Sequence, residues 1–171
     1  MSLSGCQYCY FQITAQRPGS ELAAETAAAL AAASIIFKDD DPSYAAKCLK
    51  HAKELYNFAD KYRGVYSNSI PDAGIYYKSW SGYNDELAWG AVWLYRATKN
   101  KMYLTKAEQL SNSLGSPEEL SWDNKGSGVQ ILLAAETGKQ VYKDRANQFC
   151  TRVLTQKPKT RDGKCSCVQN Q

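Results

Sequence analysis

An alanine-rich segment near the N-terminus constrains the fold more than any other part of the sequence. Eight alanines lie between Glu21 and Ala33, and alanine has the highest intrinsic helix propensity. Ser20 is predicted to cap this helix, and Glu21 lies where the helix dipole favours a negative charge. Because alanine side chains are short, we expect a thin helix that neighbouring helices can approach closely.

Helical segments recur along the chain in three pairs. The first member of each pair is largely apolar, and the second is amphipathic and charged. The apolar members span residues 21–37, 85–97 and 129–136, and the amphipathic members span residues 43–63, 102–114 and 141–154. Repeated hairpins of this kind indicate an array with an inner and an outer layer of helices, because one hairpin cannot bury its own apolar face.

Local signals mark the turns within these pairs. Asp41 is predicted to cap the second helix and Pro42 to occupy its first position. Gly138 is predicted to end an inner helix in the left-handed conformation. A tyrosine follows each turn, and these residues are Tyr44, Tyr103 and Tyr142. No segment alternates convincingly as a strand would, so the predicted fold is all-α.

Composition excludes several classes of protein. The 171 residues fit one domain, and twelve Tyr, four Trp and four Phe are too many aromatic residues for a disordered chain. The net charge of +4 is spread out, with the longest basic cluster at Lys157, Lys159, Arg161 and Lys164, so no nucleic-acid partner is expected. No apolar run reaches the roughly 20 residues of a membrane helix. The N-terminus lacks the features of a signal peptide.

Six cysteines stand at positions 6, 9, 48, 150, 165 and 167. The terminal pairs, Cys6 with Cys9 and Cys165 with Cys167, could form a shared zinc site. The spacing of the second pair does not suit a zinc ribbon, and incidental cysteines in two tails are the simpler interpretation. Residues 48 and 150 fall within helical patterns and are predicted to be buried as small hydrophobic side chains.

Three segments carry a resemblance to a known family. Residues 18–37, 77–89 and 121–125 resemble, in the same order, motifs of the glycoside hydrolase family 9 endo-β-1,4-glucanases, or cellulases. The similarity runs from about residue 11 to about residue 160. It implies a partial (α/α)6 toroid within residues 11–156, which agrees with the hairpin pattern, between divergent tails at 1–10 and 157–171. It also implies secretion of the intact protein and cleavage of internal β-1,4-glucosidic bonds in cellulose with inversion.

The resemblance implies that the catalytic pair falls outside this chain. Family members use an Asp base from an Asp-Ala-Gly-Asp motif and a Glu acid near the C-terminus. Asp72 begins a similar Asp-Ala-Gly sequence, but Ile75 replaces the second Asp, so we interpret Asp72 as a turn residue. His51 is interpreted as a solvated helix residue. The chain therefore resembles a central fragment of the catalytic domain, and we expect little or no hydrolysis by it.

Two other functions are considered. A non-catalytic helical module would keep carbohydrate or protein binding without turnover. A different enzyme on a helical toroid would need a pair of facing acids at the ends of its inner helices.

Half a ring would leave inner helices such as residues 87–95 without lateral partners. This predicts self-association or low stability through exposed apolar patches.

Tyr77 and Trp80 match aromatic positions that line the family's sugar cleft. Flat pyranose faces present C–H groups that pack on aromatic rings. The alternative is that both rings belong to the core. Since they precede an inner helix in a loop, we predict that they bind β-1,4-glucan.

A further set of residues matches a calcium site found in part of the family. These residues are Ser81, Gly82, Asp85, Glu86 and Asp123. Ca²⁺ takes six to eight oxygen ligands, and a loop that enters a helix can supply carbonyl groups followed by carboxylates. The alternative treats the two acids at 85 and 86 as first-turn residues favoured by the helix dipole.

Overall fold

The computed structural model describes residues 12–116 and 119–156, and within them eight helices and no strand. The helices are α1 (Ser20–Ile36), α2 (Pro42–Lys61), α3 (Tyr66–Ser69), α4 (Pro71–Tyr76), α5 (Asn84–Thr98), α6 (Lys101–Ser111), α7 (Gly126–Thr137) and α8 (Gln140–Gln156). The all-α prediction is confirmed. The predicted tails at 1–10 and 157–171, with the four terminal cysteines, lie outside the described residues.

The helices form three hairpins in two layers. α1 packs against α2, α5 against α6, and α7 against α8. The inner helices lie side by side, with α5 between α1 and α7. One continuous core joins them, and several apolar side chains of α5, among them Leu87, Val92 and Leu94, are completely buried in it. The arrangement is a partial toroid of inner and outer helices, as predicted.

The prediction that residues 87–95 would lack lateral partners is wrong. α5 is the middle helix of the inner layer and is covered by α1 on one side and by α7 on the other. Among the described helices, the free edges of the inner layer are instead at α1, where Leu22 and Ile36 are exposed, and at α7, where Ile131 is partly exposed. Self-association through these edges stays a prediction.

Small residues bring α1 and α5 close together. A Cβ atom on Gly90 would lie 2.9 Å from the carbonyl oxygen of Ala24 and 3.0 Å from the ring of Tyr56. Only glycine fits this contact without separating the helices. The alanines at positions 24, 27, 28 and 31 are fully or almost fully buried in the same face of α1. The predicted thin helix is therefore confirmed.

Two of the three predicted helix ends are confirmed. The Asp41 side chain accepts a hydrogen bond from the Tyr44 N–H at 2.9 Å, with proline in the first helical position. Gly138 ends α7 at φ 66°. The prediction for Ser20 is wrong, because Gly19 is the N-cap and Ser20 is the buried first residue of α1. Its hydroxyl donates to the Ala59 carbonyl oxygen at 2.9 Å and so ties the end of α2 to the start of α1.

The tyrosines after the turns do not all occupy the same environment. Tyr103 and Tyr142 are buried, whereas Tyr44 is exposed and packs edge-to-face on Phe37. Cys48 is buried as predicted. The prediction for Cys150 is wrong: its side chain is exposed, because α8 packs only on α7 among the described helices.

The connection between the first two hairpins contains two short helices, α3 and α4, which the sequence patterns did not indicate. Asp72 lies in the first turn of α4, directly after Pro71, so it is helical rather than a turn residue. Its carboxylate is exposed. His51 is an exposed residue of α2, as predicted, with Nδ1 2.8 Å from Oε2 of Glu54.

No helix in the described part of the chain is long and apolar enough to cross a membrane.

Candidate functional site

A cavity of about 190 Å³ opens where the N-terminal ends of the three inner helices come together. Its lining residues are Glu21, Leu22, Glu25, Tyr66, Tyr77, Glu86, Trp122 and Asp123. They come from α1, α3 and α5 and from the loops that precede α5 and α7. In an array of hairpins every inner helix begins at the same end, so these loops converge there.

Two exposed aromatic rings, Tyr77 and Trp122, line this cavity, and a third, Trp80, follows Tyr77 in the loop before α5. Tyr77 is 65% exposed, Trp80 77% and Trp122 55%, which excludes them from the core. The Tyr77 and Trp122 rings meet edge-to-face with their centroids 6.1 Å apart. One ring comes from each loop, so the pair bridges the loops before α5 and α7. Sequence reasoning missed Trp122, although it lies within the segment 121–125 that carried the resemblance.

Asp123 joins the two loops directly. Its Oδ2 atom accepts hydrogen bonds from the backbone N–H of Trp80 at 2.9 Å and of Ser81 at 3.2 Å. The Ser81 hydroxyl donates to the carbonyl oxygen of Asp123. Hydrogen bonds to an ionised carboxylate are stronger than neutral ones, so this contact fixes how the loops lie relative to each other.

Asp85 and Glu86 are buried at the start of α5, each only 2% exposed. Oδ2 of Asp85 accepts the backbone N–H of Lys125 at 2.7 Å. Oδ1 of Asp85 and Oε2 of Glu86 have no hydrogen-bond partner among the described residues. Burial, followed by the neighbouring Asp85 carboxylate, raises the pKa of Glu86 to about 10. These are therefore not ordinary surface acids at a helix start.

The residues of the predicted calcium site are divided between two cavities, because Glu86 and Asp123 line the first, whereas Ser81 and Asp85 line another. Ser81 and Gly82 form the turn before α5, and the Gly82 carbonyl accepts the Ser79 hydroxyl at 2.8 Å. A second cavity of about 210 Å³ is lined by Ser81 and Asp85, together with Ser113, Leu114, Asn124 and Gly126. Across residues 12–116 and 119–156, no three His, Cys, Asp or Glu side chains form a metal-binding group by themselves. The predicted ligand set includes two backbone carbonyls and stays a prediction.

Glu21 is a site residue that sequence reasoning treated only as a favourable first-turn charge. Its side chain is buried, and Oε1 accepts the backbone N–H of Tyr66 at 2.6 Å. Oε2 has no partner among the described residues. Desolvation raises the pKa of Glu21 to about 7. No local pattern could show this, because the partner lies 45 positions further along the chain.

Helical hairpins in two layers, with the loops before the inner helices gathered around one aromatic-lined cavity, are the architecture of a helical-toroid glycosidase domain. The comparison with known families gives the same class. The model of Glycosyl hydrolase family 9 matches residues 5–170, and the chain belongs to that family. The matched range includes most of the segments 1–10 and 157–171.

Known relatives of this chain are endoglucanases. It is 54% identical over 147 residues to Endoglucanase B of Cellulomonas fimi, which covers 81% of this chain and 14% of that protein. It is 48% identical over 158 residues to Endoglucanase 19 of Arabidopsis thaliana, covering 84% of this chain and 25% of the relative. The chain thus spans about a quarter or less of the length of these two relatives.

Solved structures share the fold. The endoglucanase of the termite Nasutitermes takasagoensis superposes with a TM-score of 0.82 at 49% identity, over 88% of this chain and 35% of that one. Endoglucanase CelQ of Clostridium thermocellum, solved in complex with cellotetraose, gives a TM-score of 0.66 at 33% identity, over 86% and 24%. The prediction of a family 9 endoglucanase resemblance is confirmed.

We predict that the buried Glu21 makes the stability of the protein depend on pH and that Glu21→Gln removes this dependence. The folded pKa of about 7 lies above the ordinary value of 4.5, so the folded state holds an extra proton between these pH values. The stabilising contribution is complete below pH 4.5 and is lost as the pH rises through 7. We expect the melting temperature of the wild type to fall relative to that of Glu21→Gln between pH 5 and pH 8.

Thermal unfolding followed by circular dichroism across this pH range measures the effect. Asp40→Asn, which neutralises an exposed acid away from the cavity, serves as the control and should parallel the wild type. Parallel curves for the wild type and Glu21→Gln would contradict the prediction.

Proposed function

We propose that this chain forms a glucan-binding part of an endo-β-1,4-glucanase, with a β-1,4-linked glucose chain lying against Tyr77, Trp80 and Trp122. The observation that carries the proposal is the exposed Tyr77–Trp122 ring pair beside a cavity lined by polar side chains. Aromatic rings pack on the C–H faces of sugars, and neighbouring polar groups bind the hydroxyls. A family relative solved with cellotetraose supports this ligand class.

The acids of the cavity are proposed to anchor the structure rather than to catalyse hydrolysis. Inversion needs a free acid and a free base, about 6.5–9.5 Å apart, with a water molecule between them. Here Asp123 binds two backbone N–H groups, Glu21 binds a third, and Glu25 pairs with Lys125. Glu86 is buried. As the family resemblance implies, we propose that the base and the acid lie elsewhere in the whole protein. We also propose that the whole protein is secreted.

The rival function is an enzyme that uses these same cavity acids. Glu21, Glu86 and Asp123 line one cavity, which is the feature that a different glycosidase on this fold would need. Their buried or hydrogen-bonded state argues against that role. Binding without turnover distinguishes the two functions.

We expect the isolated chain to bind cellotetraose and to leave it intact. Replacing Trp122 with Ala should weaken binding about 5- to 10-fold, since an aromatic contact is worth roughly 1–1.5 kcal/mol. Isothermal titration calorimetry measures the affinity, and chromatography of the same samples detects cleavage.

The matched control is Tyr44→Ala, which removes an exposed aromatic ring near the C-terminal end of α1, about 25 Å from the cavity. It should bind like the wild type. Cleavage of cellotetraose by the chain, or unchanged affinity in Trp122→Ala, would contradict the proposal.

We also propose that Ca²⁺ binds Ser81, Gly82, Asp85, Glu86 and Asp123. The support is the pair of buried carboxylate oxygens on Asp85 and Glu86, which have no hydrogen-bond partner within residues 12–116 and 119–156, next to a turn with backbone carbonyls. Burying an unpaired carboxylate oxygen costs free energy, and a hard cation removes that cost. When bound, the ion supplies positive charge that ties the start of α5 to the loop before α7.

Calcium should raise the melting temperature, and EGTA should reverse the change. At a calcium concentration 100 times the dissociation constant, the expected stabilisation is about 2.7 kcal/mol. Asp85→Asn keeps an acceptor for the Lys125 N–H but removes the charge, so it should lose most of this effect.

Asp72→Asn, at an exposed position of α4, is the control and should respond to calcium like the wild type. An equal calcium response in Asp85→Asn, or none in the wild type, would contradict the calcium proposal.

A further inference from the structure

Lys125 is a buried cation between α1 and the loop that carries Trp122. The residue is only 7% exposed, and lysine is rarely buried unless its charge is paired. It is the N-cap of α7, and its backbone N–H is held by Asp85. The residues next to Lys125 in the sequence do not explain why its ammonium group is buried here. The glucan-binding surface described above does not explain it either.

Three acceptors surround the Lys125 ammonium group. Nζ lies 2.7 Å from the carbonyl oxygen of Ser121, 2.9 Å from that of Trp122, and 2.8 Å from Oε1 of Glu25. A lysine ammonium carries three N–H donors, so these acceptors account for all of them. Glu25 lies on α1, whereas both carbonyls belong to the loop.

The two carbonyls belong to the peptide groups on either side of Trp122. The Ser121 carbonyl precedes the Trp122 nitrogen, and the Trp122 carbonyl follows its Cα atom. Both are bound by one ammonium group, which fixes the backbone of Trp122 and, through Glu25, ties it to α1. This backbone fixes the direction of the Trp122 Cα–Cβ bond and so limits the positions that the indole ring can reach.

From this geometry we infer that Lys125 is a positioning residue for glucan binding: it sets the place of the Trp122 ring against Tyr77. The inference rests on the proposed function. Lys125 does not contact the sugar itself, because its three donors are already used within the protein. Its effect on a β-1,4-linked glucose chain passes through the Trp122 ring, whose centroid lies 6.1 Å from that of Tyr77.

A purely structural role makes a different prediction from a positioning role. If Lys125 only stabilised the fold, its replacement would change affinity equally whether or not Trp122 is present. If it acts through Trp122, its replacement has no further effect once the indole ring is gone. A double-mutant cycle separates the two, because coupled residues give non-additive changes.

The test measures cellotetraose affinity by isothermal titration calorimetry in the 171-residue chain. Lys125→Met, which keeps the side-chain length but removes the donors, should weaken binding about 5-fold in the wild-type background, no more than the loss of the Trp122 ring itself. In the Trp122→Ala background the same change should cost less than about 2-fold. Equal losses in both backgrounds, or wild-type affinity in Lys125→Met, would overturn the inference.

Two further variants keep the result interpretable. Lys125→Arg retains the charge, but its planar guanidinium does not match three acceptors around one nitrogen. Its affinity for cellotetraose should therefore lie between those of Lys125→Met and the wild type. If circular dichroism shows Lys125→Met to be unfolded, Glu25→Gln replaces it, since Glu25 is only half-buried. That variant should lose about 3-fold in affinity, again only when Trp122 is present; no loss would overturn the inference.

Failure of the proposed function gives a separate result. If the folded wild-type chain does not bind cellotetraose, the glucan-binding proposal fails, and this inference fails with it. If the wild type and Tyr44→Ala bind equally and Lys125→Met matches both, only the role of Lys125 is overturned.

Discussion

The Asp123 carboxylate is the interaction on which the site depends. It accepts the N–H groups of Trp80 and Ser81, more than 40 residues earlier in the chain, and so holds the loop before α5 against the loop before α7. The hairpins place both loops at the same end of the inner layer. Only a specific contact between them turns separate aromatic side chains into the continuous Tyr77–Trp122 surface.

Around this contact the protein buries several carboxyl groups. Burial raises the pKa of Glu21 to about 7 and that of Glu86 to about 10, so the fold bears a desolvation cost there. Lys125 provides positive charge at the same end of the inner helices. Such costs are typical of functional sites, where the local arrangement serves binding rather than stability. They also explain why a divalent cation is a sensible partner for this cluster.

Much of the fold follows from the sequence. Apolar periodicity predicted the three hairpins, and the cap at Asp41 and the stop at Gly138 were found where expected. The short helices α3 and α4 were missed because four and six residues are too few to show a helical apolar period. The errors at Ser20 and Cys150 concern contacts between distant segments. Ser20 bonds to the end of α2, and Cys150 is exposed because α8 has one helical neighbour in the described part of the chain.

The site was less predictable for the same reason. Tyr77 and Trp80 were proposed from a family resemblance, whereas the roles of Trp122 and Lys125 depend on how two loops and α1 meet. The free edges were assigned to α5 because the sequence does not tell which inner helix lies in the middle.

Amide hydrogen exchange of Trp80 and Ser81 tests most directly whether the Asp123 carboxylate holds the two loops together. Slow exchange in the wild type and in Asp123→Asn, but fast exchange in Asp123→Ala, is predicted; equal rates in all three proteins would contradict it.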